Sequence, residues 1–202
     1  MRVRRLQHAT AAIATTLACG IATAGAHPGH LSYGLAGGFA HPFSGVDHLL
    51  SMVAVGLWAV QLGGAAIVLL PASFVSVMVL GGVAAKLGLH IGDADPFITA
   101  SLFALGLLVA TAARLPTAVG CLLVGSFAFF HGYAHVREGV IEQGHGMLGF
   151  AIGFVAATLV LHAAGVALGL LMRRPRGVRL MRLAGAGIAA VAVMIEAGWV
   201  QT

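Results

Sequence analysis

Residues 147–172 read MLGFAIGFVAATLVLHAAGVALGLLM, and His162 is the only ionisable side chain among them. About 20 apolar residues are enough for a helix to cross the hydrocarbon core of a membrane. This stretch therefore predicts a transmembrane helix. The chain holds six such apolar blocks, which are joined by short connections rich in Gly and Pro. They are roughly Phe43–Leu62, Ala65–Leu89, Phe97–Ala113, Thr117–His135, Met147–Met172 and Met181–Val200.

The composition indicates a membrane protein rather than a soluble or disordered one. Hydrophobic residues make up 59% of the 202 residues and charged residues only 8%, whereas soluble domains are about half apolar and about one quarter charged. The net charge of +5 rests on 11 lysines and arginines, and five of these lie in Arg173–Arg182. Such a connection is typical of a cytoplasmic loop and not of a nucleic-acid interface. We predict an all-α, polytopic membrane helix bundle that binds no nucleic acid.

The first residues have the pattern of a secretory signal peptide. Arg2, Arg4 and Arg5 precede an apolar run, and Ala24-Gly25-Ala26 provides a small-residue cleavage site. We expect residues 1–26 to be a signal peptide that is cleaved, and residues 27–202 to be one domain of six transmembrane helices. Lipidation at Cys19 and an uncleaved anchor are the alternatives.

The leader and the arginines predict the same orientation in the membrane. Cleavage leaves the mature N-terminus outside, so an even number of spans returns the C-terminus to the outside. Arg114 and the Arg173–Arg182 segment then lie inside, as expected from the excess of Lys and Arg in cytoplasmic loops.

One polar motif lies at the start of the first predicted span, in His41-Pro-Phe-Ser-Gly-Val-Asp47-His48. Ionisable residues inside a membrane helix are costly and indicate function. We therefore predict metal or proton chemistry at Asp47 and His48, with His41 on the same face if the helix extends back past Pro42. Alternatively, Ser44 and Asp47 form a capping box, in which Asp47 satisfies amides at the helix start.

A second motif, Phe130-His131-Gly132-Tyr133-Ala134-His135, ends the fourth predicted span. Side chains four residues apart share a helical face, so His131 and His135 could ligate one metal ion, with Glu138 on nearly the same face. Hydrogen bonding between helices is the alternative. The two motifs are expected at the same membrane level, so they could meet in one site.

Four further histidines are secondary candidates for metal handling: His27, His30, His90 and His162. The first two follow the predicted cleavage site and could equally belong to a flexible tail. Snorkelling at the membrane interface also explains His90, and hydrogen-bonded packing also explains His162. Imidazole binds nickel, copper, zinc and iron alike, so these residues do not identify the ion.

The chain resembles the HupE/UreJ family of bacterial nickel permeases. The resemblance rests on His41-Pro-x-x-Gly45-x-Asp47-His48-Leu-Leu-x-Met52, on Phe130–His135 and on Leu161-His162-Ala-Ala-Gly165. It implies a secondary permease that takes up Ni²⁺, or Co²⁺ in some members, for hydrogenase or urease maturation. It also implies that His41, Asp47, His48, His131 and His135 handle the metal. Val136-Arg137 departs from the small residues expected there, which leaves the role of Glu138 open.

The sequence predicts no enzyme and no prosthetic group. It contains no Gly-x-Ser-x-Gly nucleophile motif, no phosphate loop and no His-Glu-x-x-His zinc motif. The expected partners are a divalent cation and the lipid bilayer, and self-association is left open. Two other functions compete: a haem-b electron carrier with two axial histidines, and an accessory membrane protein that binds metal without transporting it.

Overall fold

A computed structural model describes residues 34–137 and 146–201 of the chain. Within these ranges every regular element is a helix. The predicted signal peptide, His27, His30 and Glu138 lie outside the described residues. The helices are α1 (Gly34–Ser44), α2 (Val46–Leu62), α3 (Ala66–Lys86), α4 (Asp95–Thr111), α5 (Thr117–Arg137), α6 (Gly146–Leu171) and α7 (Pro175–Glu196).

The all-helical prediction is confirmed for these residues, and each of the six predicted blocks corresponds to one helix, from α2 to α7. Helices α3, α5, α6 and α7 are long and apolar enough to cross a membrane, and α1 with α2 forms a fifth, bent candidate. Helix α4 is apolar but has only 17 residues. The chain is therefore a multi-pass membrane protein with four or five spans supported by helix length and composition.

The first predicted span, Phe43–Leu62, is wrong at its beginning. The helix breaks at Gly45, and α1 and α2 differ in direction by 82°. Gly45 has an extended backbone with φ −95° and ψ 124°, so α2 begins only at Val46. His41 consequently lies on a separate helix and not on the same face of α2 as His48. Helix α1 itself was not predicted from the sequence.

Helix α6 packs against both arms of this bend through small residues. At Gly153 an added Cβ would collide with the backbone of Leu35 in α1, and at Gly165 it would collide with that of Val53 in α2. Gly56 meets α6 in the same way, at the backbone of His162. Small residues let membrane helices approach closely. These contacts hold α1 and α2 at positions roughly three turns apart along α6.

The distribution of side chains is that of a protein surrounded by lipid. Large apolar side chains such as Leu122 and Leu183 face outward, while His48, His131, His135 and His162 are buried. The arginine-rich side of the chain lies at one end of the bundle, because Arg182 Nε at the start of α7 donates to the carbonyl of Ala110 at the end of α4. The two polar motifs lie at the opposite end, at the start of α2 and the end of α5.

Candidate functional site

The break at Gly45 positions Asp47 and His48 at the first turn of α2. Asp47 Oδ1 accepts hydrogen bonds from the backbone N–H and from the ring Nδ1 of His48, each at 2.8 Å. The capping-box alternative required the Ser44 hydroxyl to accept a hydrogen bond from an amide in the first turn of α2. It is wrong, because this hydroxyl donates to the carbonyl of His41. Gly45 occupies the capping position, where no side chain donates or accepts. Asp47 does satisfy one amide at the helix start, that of His48.

The bond to Asp47 determines which nitrogen of His48 is free. A carboxylate accepts, so Nδ1 carries the proton and Nε2 of the neutral ring keeps its lone pair. Nε2 is buried without a hydrogen-bond partner. A carboxylate behind an imidazole is the usual arrangement around a metal ligand, because it fixes the ring and makes the free nitrogen more basic.

His131 in α5 has the same kind of support. Its Nδ1 donates to the carbonyl of Phe127 at 2.9 Å, one turn earlier in the helix. Nε2 therefore keeps its lone pair, and it too is buried without a partner. His135 follows one turn later and is 4% exposed, and neither of its ring nitrogens has a partner.

The two motifs and α1 meet at one point. The ring centroid of His48 lies 5.3 Å from that of His131 and 4.7 Å from that of His135. His41, at the end of α1, lies 4.5 Å from His135 and 5.9 Å from His48. We call His41, His48, His131 and His135 the histidine cluster. Three helices contribute to it, and Asp47 supports it from behind.

The histidine cluster is not a preformed metal cage. Within residues 34–137 and 146–201, no group of three or more His, Cys, Asp or Glu side chains is arranged to hold a metal ion. The imidazoles instead pack against one another, edge against face or tilted. Rotation of these side chains is therefore needed before several nitrogens could converge on one cation.

Aromatic rings that the sequence analysis missed enclose the cluster. Phe154 in α6 lies 4.6 Å from His135, and Phe74 in α3 lies 5.4 Å from His131. Phe150 lies 5.8 Å from His41. Single phenylalanines in apolar helices carry no sequence signal for such a position. Helix packing alone brings them to the cluster.

A mostly apolar cleft of about 480 Å³ reaches one side of the cluster between α3, α5 and α6. His135 and Gly132 form part of its wall, and Lys86 lies at its edge. Gly132 packs against the backbone of Met78 in α3. A glycine at this position lets α3 and α5 approach closely.

The secondary candidates lie apart from the cluster where the structure describes them. His90 is exposed in the connection between α3 and α4. His162 is 1% exposed in α6, and the ring of Phe74 lies 5.0 Å from it. Phe74 thus contacts both His162 and His131 of the cluster.

Comparison with known proteins supplies the family. A family model described as HupE / UreJ protein matches residues 13–195. Protein HupE of Rhizobium leguminosarum bv. viciae is 39% identical over 173 residues, which cover 86% of this chain and 90% of that protein. No solved structure matches. The chain therefore belongs to the HupE/UreJ family, whose members are permease-like accessory proteins and not enzymes.

Proposed function

We propose that the protein is a secondary permease that takes up a divalent transition-metal cation, most favourably Ni²⁺ with Co²⁺ as the competing ion. The metal would supply hydrogenase or urease maturation. Family membership supports the class of substrate, and the choice of nickel is part of the proposal. The carrying observation is the histidine cluster, in which imidazoles from three helices meet. Three of them, His48, His131 and His135, have buried ring nitrogens without partners.

A buried lone pair without a partner is unfavourable in a membrane protein that has no ligand to bind. An unsatisfied buried polar group costs about 1–3 kcal/mol. Nε2 of His48 and Nε2 of His131 both carry this cost, and each ring is oriented by a bond at its other nitrogen. A cation that accepts imidazole nitrogen would remove the cost. This arrangement supports His48 and His131 as ligands.

The absence of a preformed metal cage among the described residues suits transport of a cation better than its storage. A transported ion must be bound tightly enough to be selected and weakly enough to be released. In the proposed mechanism, His41 and His135 first exchange water ligands of the hydrated cation for imidazole. His48 and His131 then take it over, and Asp47 compensates part of its charge. Glu138 and the N-terminal histidines, His27 and His30, would add to capture at the surface.

The proposed orientation is that of the bacterial cytoplasmic membrane, with six spans and the mature N-terminus outside after removal of residues 1–26. The histidine cluster then faces the outside, and Arg182 with its neighbours faces the cytoplasm. The contact between Arg182 and Ala110 at the other end of the bundle supports this arrangement. In this arrangement α4, with 17 residues, also crosses the membrane and brings the number of spans to six.

The decisive experiment measures uptake of radiolabelled nickel at submicromolar concentration in cells that lack their own nickel transporters. Wild type is compared with His48→Ala and His131→Ala at matched amounts in the membrane. Uptake that falls at least tenfold in both variants supports a permease that uses both motifs. Competition by excess cobalt then measures selectivity. Uptake that survives both substitutions would remove the cluster from the mechanism.

The two rival functions have distinct outcomes. An accessory protein would bind nickel in detergent, yet wild type would produce no uptake. A haem carrier would show a Soret band after purification. The geometry disfavours haem, because His48 and His135 are in ring contact at 4.7 Å and leave no gap for a planar macrocycle between them.

A further inference from the structure

His162 is the buried imidazole that the proposed cluster leaves unexplained. It is 1% exposed, and both of its ring nitrogens are buried without a hydrogen-bond partner. A neutral imidazole always carries one N–H to donate. A side chain needed only for packing would be better replaced by leucine, which leaves no donor unpaired. The position therefore indicates a ligand-binding role.

Helix geometry locates His162 below the cluster. On α6, Phe154 contacts His135 of the cluster, and His162 follows Phe154 by eight residues. At about 1.5 Å per residue this is roughly 12 Å further along the helix axis. On α5, His131 lies one turn deeper than His135. The imidazoles thus descend from His135 through His131 towards His162.

Phe74 contacts both of the last two members of this series. Its ring centroid is 5.4 Å from His131 and 5.0 Å from His162, and the side chain itself is fully buried. One side chain therefore contacts both imidazoles. A change of its rotamer would alter both contacts, whereas the backbone around His162 is held by the close contact of α6 with Gly56.

Two further donor atoms lie near the same level. Thr158, one turn before His162, has its hydroxyl 3.9 Å from the sulfur of Met78. Met78 follows Phe74 by one turn of α3. The hydroxyl donates its proton to the carbonyl of Phe154 at 2.9 Å, so its oxygen can still accept. The path between the cluster and His162 is therefore not entirely apolar.

We propose that His162 is a second, deeper binding station for the transported divalent cation, reached from His131 past the side chain of Phe74. This inference rests on the proposed permease function. A second station gives the ion an imidazole ligand beyond the side chain of Phe74. The cation then crosses the bundle in two short exchanges between imidazoles rather than in one long step through an apolar interior.

The test separates binding from transport. Purified wild type, His162→Leu and His162→Asn are titrated with nickel in detergent, and the same proteins are reconstituted into vesicles that contain a nickel indicator. We expect the dissociation constant of the cluster to stay within twofold, while the rate of uptake falls at least tenfold. Ser101→Ala, which removes a buried hydroxyl that bonds within α4, is the matched control and should retain at least half of the wild-type rate.

A second measurement asks whether a cation reaches position 162. In a Cys121→Ala background, His162→Cys is titrated with Cd²⁺, because thiolate binds soft cations well. We expect ultraviolet thiolate-to-cadmium absorption that the background lacks. Absence of this absorption would overturn the station, as would uptake by His162→Leu within twofold of wild type, or parallel loss of binding and uptake. If wild type itself moves no nickel, the permease function fails, and this inference fails with it.

Discussion

Asp47 and His48 are neighbours in sequence, and Asp47 Oδ1 accepts both the backbone N–H and the ring Nδ1 of His48 at 2.8 Å. One carboxylate oxygen thus fixes the start of α2 and the orientation of an imidazole at the same time. Both residues are buried, with exposures of 6% and 8%. The same carboxylate therefore stabilises the start of α2 and orients a proposed metal ligand of the histidine cluster.

Substitution Asp47→Asn tests this link. The amide keeps the size of the side chain but removes the charge that supports the imidazole. Loss of an outer partner of a metal ligand typically costs 10–100-fold in affinity or activity. We expect the nickel concentration for half-maximal uptake to rise by about this factor. Glu196→Gln, which neutralises an exposed carboxylate at the end of α7, should leave it unchanged, and an equal effect of both variants would contradict the prediction.

Substitution Gly45→Ala should also weaken nickel binding, although it replaces no proposed ligand. Its backbone angles are open to alanine, but a Cβ there would lie 2.7 Å from Asp47 Oδ1 and 3.1 Å from His48 Nδ1. The pair must shift to make room. We expect weaker nickel binding by at least fivefold in a calorimetric titration, with a normal amount of folded protein. Binding that equals wild type would mean that the pair tolerates the shift.

Gly132 provides a test of packing. A Cβ at this residue would collide with the backbone of Met78 in the facing helix, whereas a Cβ at Gly187 meets nothing. Overpacking of this kind costs about 1–3 kcal/mol. We expect Gly132→Ala to lower the thermal unfolding temperature of the purified protein. Gly187→Ala should leave that temperature equal or raise it, since alanine favours helix over glycine. The reverse order of the two variants would contradict the described contact between α3 and α5.

Single cysteines test the proposed orientation and the number of spans. In a background with Cys19→Ala and Cys121→Ala, a membrane-impermeant maleimide should label Leu89→Cys and Gln201→Cys in intact spheroplasts. Arg176→Cys should react only after lysis, because the positive-inside rule assigns it to the cytoplasm. Labelling at Leu89 and Arg176 without labelling at Gln201 would indicate five spans, with α4 not crossing the membrane. External labelling at Arg176 alone would reverse the orientation.

Local sequence patterns were sufficient for six of the seven described helices, all except α1. Apolar blocks long enough to cross a membrane predicted the bounds of α2 to α6 to within three residues and those of α7 to within six, because hydrophobic length is a property of a single segment. The pair His131 and His135 could likewise be assigned to one helix face from their spacing. The resemblance in the first motif identified the family that the comparison confirms.

Other features depend on contacts between segments that are distant in the chain. The 82° bend at Gly45 and the fold of α1 onto α6 arise from backbone contacts at Gly153 and Gly165. No periodicity of the residues around Pro42 predicts that bend.

The sequence by itself determined the class of protein, the helical segments and the residue types that bind metal, since these follow from composition, length and spacing. Only the tertiary structure decided that His41 joins His48 from another helix, and that Phe74 contacts both His131 and His162. The physical reason is that a helix sequence specifies which side chains share a face. The close approach of backbones at small residues specifies which faces meet.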